Sequence, residues 1–180
     1  MIFVAKNKKR VELRKLHPGD FEDLIFYFQN LSDETKSRFG PHNFNLEGLE
    51  QLYKGKEKHF GFIAQETDSG NIVAYSVIKK GFLEHDSFRL ESYGLKLNQE
   101  TDCAFAPSVS DVWQGQGVGE ALFDFITHEL KTEGFARIIL WGGVHASNEK
   151  ALAFYRKLGF TTLGNFEYNG WNYDMKKEIA

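Results

Sequence analysis

The feature that most constrains this chain is a glycine-rich turn between a predicted strand and a predicted helix. Residues Asp111–Glu120 read DVWQGQGVGE, with glycines at the alternating positions Gly115, Gly117 and Gly119. The apolar run Cys103–Val109 precedes the turn and predicts a strand. Apolar residues recur at helical spacing after it, at Val118, Ala121, Leu122, Phe125, Ile126 and Leu130. The segment therefore predicts a strand, a tight turn and a helix in succession.

This arrangement predicts a binding site for an anion. The first N–H groups of a helix have no partner within the helix, and the helix dipole places partial positive charge beside them. A phosphate or pyrophosphate is the ligand that such a helix start commonly binds.

Two well-known phosphate-binding patterns do not fit the turn. A dinucleotide-binding fold needs G-x-G-x-x-G in its first unit and an acidic residue on the next strand. Here the spacing is G-x-G-x-G, and the next predicted strand, Ala136–Trp141, carries Arg137 as its only charged residue. A P-loop needs a Lys-Ser or Lys-Thr pair after the glycines, and none follows.

The rest of the chain predicts a layered α/β fold, of the kind also described as α+β. The pattern indicates a mixed, mostly antiparallel central sheet of six to seven strands flanked by helices, in a single domain over residues 1–180. The predicted strands and hairpins are Val11–Leu16, Phe60–Gln65, Ile72–Ile78, Cys103–Val109, Ala136–Trp141 and a closing hairpin over Thr161–Met175. Helices are predicted to start near Asp20, Ser32, Asn45, Val118 and either Ser147 or Asn148.

Composition excludes several classes of function. The formal net charge of -3 argues against bulk attraction to nucleic acid. No apolar run approaches the roughly 20 residues that span a bilayer, and Met1–Ala5 is too short for a signal peptide. The single cysteine, Cys103, excludes an internal disulfide, and the six histidines lack metal-ligand spacing. We therefore expect a cytoplasmic protein with no metal, nucleic-acid or membrane partner, as a monomer or a homodimer.

The least regular stretch is Lys79–Thr101. It contains alternating fragments over Phe88–Leu97 and several polar groups, and it fits a long hairpin connection, a loop over a site or a solvated surface loop. The sequence does not choose among these three.

Two motifs together resemble a known family. Gln114–Gly119 fits the pattern Q/R-x-x-G-x-G/A. About 30 residues further on, Asn148–Phe160 fits N-x-x-A-x-x-F-Y-x-x-x-G-F. The pair resembles the GNAT acyltransferase superfamily, and with the intervening elements it covers about a third of the chain. The resemblance implies a GNAT-like fold whose central strands splay apart to form a cleft for coenzyme A (CoA).

The resemblance also implies roles for particular residues. The main chain of the glycine turn would bind the CoA pyrophosphate, Gln114 would help to seat it, and Val109 would pair its backbone with the pantetheine arm. Asn148 would contact that arm. The implied cofactor-binding residues are Val109, Gln114, Gly115, Gln116, Gly117, Val118, Gly119, Glu120 and Asn148. Asn148 can also act as a plain helix N-cap.

Tyr155 matches the family's general acid, which protonates the departing CoA thiolate. Acyl transfer from a thioester to an amine needs a neutral amine, a donor to the thioester carbonyl and a proton for the leaving sulfur. A phenol with a pKa near 10 is nearly matched to a thiol with a pKa of roughly 8.5–10. The position of Tyr155 alone would favour a core aromatic residue. The motif around it favours the role of general acid instead.

The general base stays unassigned. Many family members carry a glutamate at the position that corresponds to Cys103, which here fits a small core residue better than a base. Glu91 ranks first among the remaining candidates, ahead of Asp86 and His85, because it lies in a predicted strand fragment near the acceptor side. A chain of water molecules is equally possible.

The sequence therefore predicts an acyl-CoA-dependent N-acetyltransferase. Acetyl-CoA, or another short acyl-CoA, would be the co-substrate, and a primary amine of a small molecule or a peptide would attack it directly. A catalytically silent acyl-CoA-binding sensor domain is the alternative. The sequence does not identify the acceptor amine.

Overall fold

An antiparallel hairpin opens the chain in this computed structural model, which describes residues 1–54 and 58–180. The strands are β1 Ile2–Val4, β2 Arg10–Lys15, β3 His59–Glu66, β4 Ile72–Lys80, β5 Asp102–Val109, β6 Arg137–Leu140, β7 Val144–His145, β8 Thr161–Glu167 and β9 Trp171–Glu178. The helices are α1 Phe21–Gln29, α2 Asp33–Ser37, α3 Leu46–Tyr53, α4 Ser87–Ser92, α5 Val118–Thr132 and α6 Glu149–Lys157.

The described chain divides into two compact units, and β5 contributes residues to both. The first unit comprises Met1–Ile78 and Ala106–His128, and its strands follow the order β1-β2-β3-β4-β5. The second comprises Lys79–Phe105 and Glu129–Ala180, with the order β5-β6-β9-β7 and β8 paired to β9. The predicted fold class is confirmed: this is a mixed α/β architecture whose nine-stranded, mostly antiparallel sheet is flanked by helices.

The core of the first unit is rich in aromatic side chains because α1 presents one apolar face to it. Phe21, Leu24 and Phe28 recur at helical spacing and are buried. The ring of Phe28 stacks on Phe44 at 4.7 Å and meets Tyr75 of β4 edge-on at 5.6 Å. These contacts cover the face of the sheet beside the end of β5.

In the second unit a parallel pair of strands holds a buried ion pair. β5 runs parallel to β6 from Asp102↔Arg137 to Phe105↔Leu140, and β6 pairs antiparallel with β9. The Arg137 guanidinium lies 2.8 Å from the carboxylate of Asp102, which is 1% exposed. Because a buried charge is costly unless it is paired, this contact fixes the start of β5.

The strand count differs from the prediction of six to seven because two short strands were not predicted. β1 has three residues and β7 has two, too few for an alternating pattern to be recognised. The alternating fragments of Phe88–Leu97 also proved misleading, since Ser87–Ser92 forms α4.

Candidate active site

The glycine turn connects β5 to α5 in the first unit. β5 ends at Val109, and the Ser110 N–H then donates to the Val73 carbonyl of β4 at 2.9 Å. A 3-10 turn over Asp111–Trp113 follows, and α5 begins at Val118. Gly115 and Gly117 lie between them with φ of 77° and 85°. Residues with side chains adopt this left-handed conformation only at a cost, so the turn needs glycine at both positions.

Main-chain hydrogen bonds hold the turn in place. The Gln116 N–H donates to the Trp113 carbonyl at 3.3 Å, and the Gln114 N–H donates to the Ser110 carbonyl at 3.1 Å. The Gln116 carbonyl in turn accepts the Lys6 N–H at 3.1 Å. The turn is therefore held from the loop between β1 and β2 as well as from its own flanking residues.

This geometry fits a pyrophosphate. Helical geometry leaves the first-turn N–H groups, those of Val118 and Gly119 among them, without acceptors inside the helix, and the dipole makes that end partly positive. A Cβ at Gly117 would lie 3.4 Å from the Phe3 ring, whereas a Cβ at Gly115 would meet nothing within 4 Å. Glu120 fits the predicted role through its main chain alone, because its carboxylate would repel an anion.

Two of the predicted cofactor residues contact each other. The Gln114 side-chain Nε2 donates to the Val109 carbonyl at 3.1 Å. A carbonyl oxygen has two lone pairs, so an amide of a pantetheine arm could share this acceptor or replace Gln114 there. The structure thus brings Val109, Gln114 and the glycine turn together at one end of β5.

Sequence reasoning missed Asp111, which ties the start of the turn to the segment between α1 and α2. Its carboxylate accepts the Ser32 N–H at 2.9 Å, the Ser32 hydroxyl at 2.7 Å and the Thr35 hydroxyl at 2.7 Å. Partial desolvation raises the pKa of Asp111, but the hydrogen bonds from Ser32 and Thr35 outweigh it and lower this pKa to about 2. The partners lie more than 70 residues away in sequence, and no local pattern indicates them.

A hydrogen-bonded pair of hydroxyl groups also lies beside the end of β5. The Tyr27 hydroxyl donates to the Ser108 hydroxyl at 3.0 Å, and both side chains are buried. Burial raises the pKa of Tyr27, which therefore stays protonated at neutral pH.

The direction of a neighbouring hydrogen-bond chain follows from the chemistry of its members. His42 Nδ1 lies 2.8 Å from the Asn43 carbonyl, which can only accept, so Nδ1 carries the proton. Burial lowers the pKa of His42, and Nε2 of the neutral ring then accepts the Tyr75 hydroxyl at 3.1 Å. The Tyr53 hydroxyl donates to the Tyr75 oxygen at 2.6 Å. His42, Tyr75 and Tyr53 thus form one hydrogen-bonded network in the first unit.

In the second unit, Asn148 and Tyr155 lie on α6. Asn148 caps the helix, because its Oδ1 accepts the Ala151 N–H at 3.2 Å. The Tyr155 ring packs against Phe154 at 5.6 Å and Phe160 at 5.5 Å. Desolvation raises the pKa of Tyr155, so its hydroxyl keeps its proton at neutral pH.

The candidate bases lie on or next to α4 in the second unit. Glu91 is exposed on this helix rather than in a strand fragment. Asp86 is buried 2.9 Å from the Arg89 guanidinium and 3.5 Å from His85 Nε2. Cys103 is fully buried in β5, and desolvation raises the pKa of its thiol, which makes it a poor nucleophile and a poor base.

Within residues 1–54 and 58–180, no helix is long and apolar enough to cross a membrane. The same residues contain no cluster of three or more His, Cys, Asp or Glu side chains that could hold a metal ion.

Comparison with known proteins identifies one family. The model of the acetyltransferase (GNAT) family matches residues 26–160. A [ribosomal protein bS18]-alanine N-acetyltransferase from Escherichia coli K12 is 43% identical over 56 residues, which is 31% of this chain and 36% of that protein. The aligned segment thus spans only about a third of this relative.

Solved structures of GNAT proteins share the fold. The GNAT domain of PAT from S. lividans superposes with a TM-score of 0.76 at 19% identity, covering 99% of this chain and 96% of that one. An acetyltransferase of the GNAT family from Streptococcus pneumoniae gives a TM-score of 0.69 at 16% identity, covering 94% and 99%. Ard1 from Thermoplasma volcanium gives 0.65 at 18% identity, covering 94% and 98%.

Proposed function

The chain belongs to the acetyltransferase (GNAT) family, and we propose that it transfers an acetyl group from acetyl-CoA to a primary amine of a small molecule or peptide. The observation that carries this proposal is the glycine turn before α5. Its left-handed glycines and the start of the helix would bring main-chain N–H groups together, as binding of a pyrophosphate requires.

The residues that would bind the co-substrate follow from the site and the family motifs. The main chain of Gly115–Glu120 would hold the pyrophosphate, and Gln114 would turn from the Val109 carbonyl toward it. The Val109 backbone would then pair with the pantetheine arm, and Asn148 would contact the arm while it caps α6.

The chemistry proceeds by direct attack. The neutral amine nitrogen forms a bond to the thioester carbonyl carbon, the carbon–sulfur bond breaks, and the sulfur takes a proton from the Tyr155 hydroxyl. Desolvation keeps the Tyr155 hydroxyl protonated at neutral pH, but the raised pKa also makes the phenol a weaker acid. Proton transfer to the sulfur therefore requires that the same desolvation raise the pKa of the leaving thiol as well. A main-chain N–H near Val109 would polarise the thioester carbonyl.

The amine must also lose a proton, and Glu91 or a water molecule is the proposed acceptor. A Glu91→Gln variant distinguishes the two. A lowered kcat/KM at neutral pH assigns the proton to Glu91, and an unchanged pH profile assigns it to water.

The acceptor is proposed from the name of the relative in Escherichia coli, a [ribosomal protein bS18]-alanine N-acetyltransferase. Within a peptide, an alanine carries a free amine only at the N-terminus. Peptides with an N-terminal alanine are therefore the first acceptors to try, with small primary amines beside them.

The test of transfer is the acetylated product. Wild-type protein, acetyl-CoA and each acceptor are incubated, and the product mass and the released CoA thiol are measured together. Equal amounts of product and thiol with any acceptor support the proposal. Binding of acetyl-CoA without product across peptides and small amines would instead support the sensor domain.

A further inference from the structure

The turn between β1 and β2 is the most basic stretch of the chain. Residues 6–10 read KNKKR, which places four cations in five positions of a chain with a net charge of -3. Lysines scattered over a surface are ordinary, but a cluster of this density raises the local potential and attracts anions.

This basic turn is docked on the glycine turn. The Lys6 N–H donates to the Gln116 carbonyl at 3.1 Å, and the Phe3 ring of β1 packs beside Gly117. The two contacts place the basic turn next to the predicted pyrophosphate site within the same unit.

Lys8 occupies a strained position in this turn. The Lys8 N–H donates to the Ala5 carbonyl and the Ala5 N–H to the Lys9 carbonyl, each at 2.9 Å, which closes a tight hairpin. Lys8 closes it with φ of 70°, a left-handed conformation that glycine or asparagine adopts at less cost. Strained backbone positions cluster at ligand-binding and active sites, and this one carries a cation.

The four cations differ in their surroundings. Lys9 Nζ lies 2.6 Å from Glu66 and 5.5 Å from the centre of the Trp113 ring, so it anchors the turn. Arg10 pairs with Val4 across the hairpin, and the next pair along is Phe3 with Val11. Side chains of adjacent pairs point to opposite faces of a hairpin. Because Phe3 faces Gly117, Arg10 points away from the glycine turn.

Lys6 and Lys8 are the two cations left for a ligand. Both are exposed, and neither forms an ion pair with any residue in the described ranges 1–54 and 58–180. Their ammonium groups lie on flexible stems that can follow a phosphate near the glycine turn.

We propose that Lys6 and Lys8 bind the 3′-phosphate of CoA, and this inference rests on the proposed function. The glycine turn offers N–H groups to the pyrophosphate, which the ADP half of CoA carries together with a phosphate monoester on its ribose. A phosphate monoester bears a charge of about −1.5 to −2 at neutral pH, and two ammonium groups match that charge. The basic turn thereby selects CoA over nucleotides that lack this phosphate.

The test compares CoA with 3′-dephospho-CoA, which lacks only that phosphate. Dissociation constants of both are measured by calorimetry on the full chain, for wild type, Lys6→Ala, Lys8→Gly, the double variant and Arg10→Ala. We expect wild type to bind CoA roughly tenfold to a hundredfold more tightly than dephospho-CoA. This is the gain in affinity that one or two charge-assisted hydrogen bonds provide. In the double variant this ratio falls to near one, while the affinity for dephospho-CoA stays the same.

Two controls separate ligand binding from folding. Lys8→Gly relieves the left-handed backbone, so its melting temperature stays unchanged or rises while its CoA preference falls. Arg10→Ala removes one positive charge from the opposite face and keeps the wild-type ratio.

The outcomes also separate this inference from the proposed function. Wild type that binds neither nucleotide would overturn the proposed function. Wild type that binds both equally, or a double variant that keeps the wild-type ratio, would overturn the role of Lys6 and Lys8 and leave the proposed function standing.

Discussion

At the scale of single residues, Tyr155 tests the chemistry most sharply, because its ring and its hydroxyl can be separated. Phenylalanine keeps the packing on Phe154 and Phe160 and removes only the proton donor. We expect Tyr155→Phe to lower kcat by roughly 10²–10⁴-fold, the usual contribution of a general acid, with the Kd for acetyl-CoA nearly unchanged. Steady-state kinetics and calorimetry measure the two quantities, and a wild-type kcat would remove Tyr155 from the mechanism.

Asp111 supports a second prediction at this scale, concerning stability and pH. Its folded pKa of about 2 lies below the ordinary 3.8, so its carboxylate stabilises the fold above pH 4 and loses that effect as the pH falls toward 2. Because the group is exposed, we discount the shift for solvent screening and expect Asp111→Asn to cost about 1 kcal/mol at pH 7.

Urea unfolding of the Asp111→Asn variant and wild type at pH 7 and at pH 3 checks this prediction. The difference between the two proteins should shrink at the lower pH. A difference that is the same at both values would show that the hydrogen bonds to Ser32 and Thr35 do not depend on the charge.

Residues with roles fixed by local sequence could be predicted, and residues with distant partners could not. Asn148 was recognised as a helix cap because a cap needs only the next three residues. The contacts of Asp111 with Ser32 join residues 79 positions apart and depend on how the chain folds back, and composition and spacing do not contain that information.

At the scale of secondary-structure elements, the glycine turn is the test case. Valine at Gly117 would place a branched side chain at φ of 85° and within 3.4 Å of the Phe3 ring. We expect Gly117→Val to abolish measurable binding of acetyl-CoA because the turn can no longer bring its N–H groups close to the pyrophosphate.

Gly134→Val is the matched control for backbone strain. Gly134 follows α5 with φ of 87°, and a Cβ there would meet nothing within 4 Å. Both variants should lower the melting temperature, but only Gly117→Val should lose acetyl-CoA. Retained affinity in Gly117→Val would refute the assignment of the turn.

Helix α4 supports a further prediction at this scale. Its Arg89 donates to the Asp174 carboxylate through Nε at 2.8 Å, and Asp174 is 1% exposed. Removing the guanidinium strands a buried charge, so Arg89→Ala should lower the free energy of unfolding by about 3–5 kcal/mol. Chemical denaturation measures this, with Arg10→Ala as an exposed control, and a loss below 1 kcal/mol would contradict the assigned role.

Long periodic elements were predictable, and short or remotely stabilised ones were not. Helix α5 repeats its apolar residues over four turns, which no strand can match. Helix α4 has six residues and is held by Arg89 and by Tyr93, whose hydroxyl donates to Asp174 at 3.1 Å. Their shared partner, Asp174, lies in β9, 81 or more residues away, so the local sequence indicated a strand fragment where the chain forms a helix.

At the scale of the whole molecule, the family motifs divide between the two units. The glycine turn belongs to the first unit, whereas Asn148 and Tyr155 belong to the second. Binding of the nucleotide and transfer of the acyl group can therefore be separated by variants in different parts of the chain. Gly117→Val should remove both properties, and Tyr155→Phe only the second.

The central claim is that this chain binds acetyl-CoA, and thermal unfolding in its presence tests that claim most directly. At a concentration 100 times its dissociation constant, acetyl-CoA should stabilise the native protein by about 2.7 kcal/mol. For a chain of this size that corresponds to a rise in melting temperature of roughly 5–11 °C, and the rise should be absent in Gly117→Val. An unchanged melting temperature of the wild-type protein with acetyl-CoA and other acyl-CoAs would contradict the account.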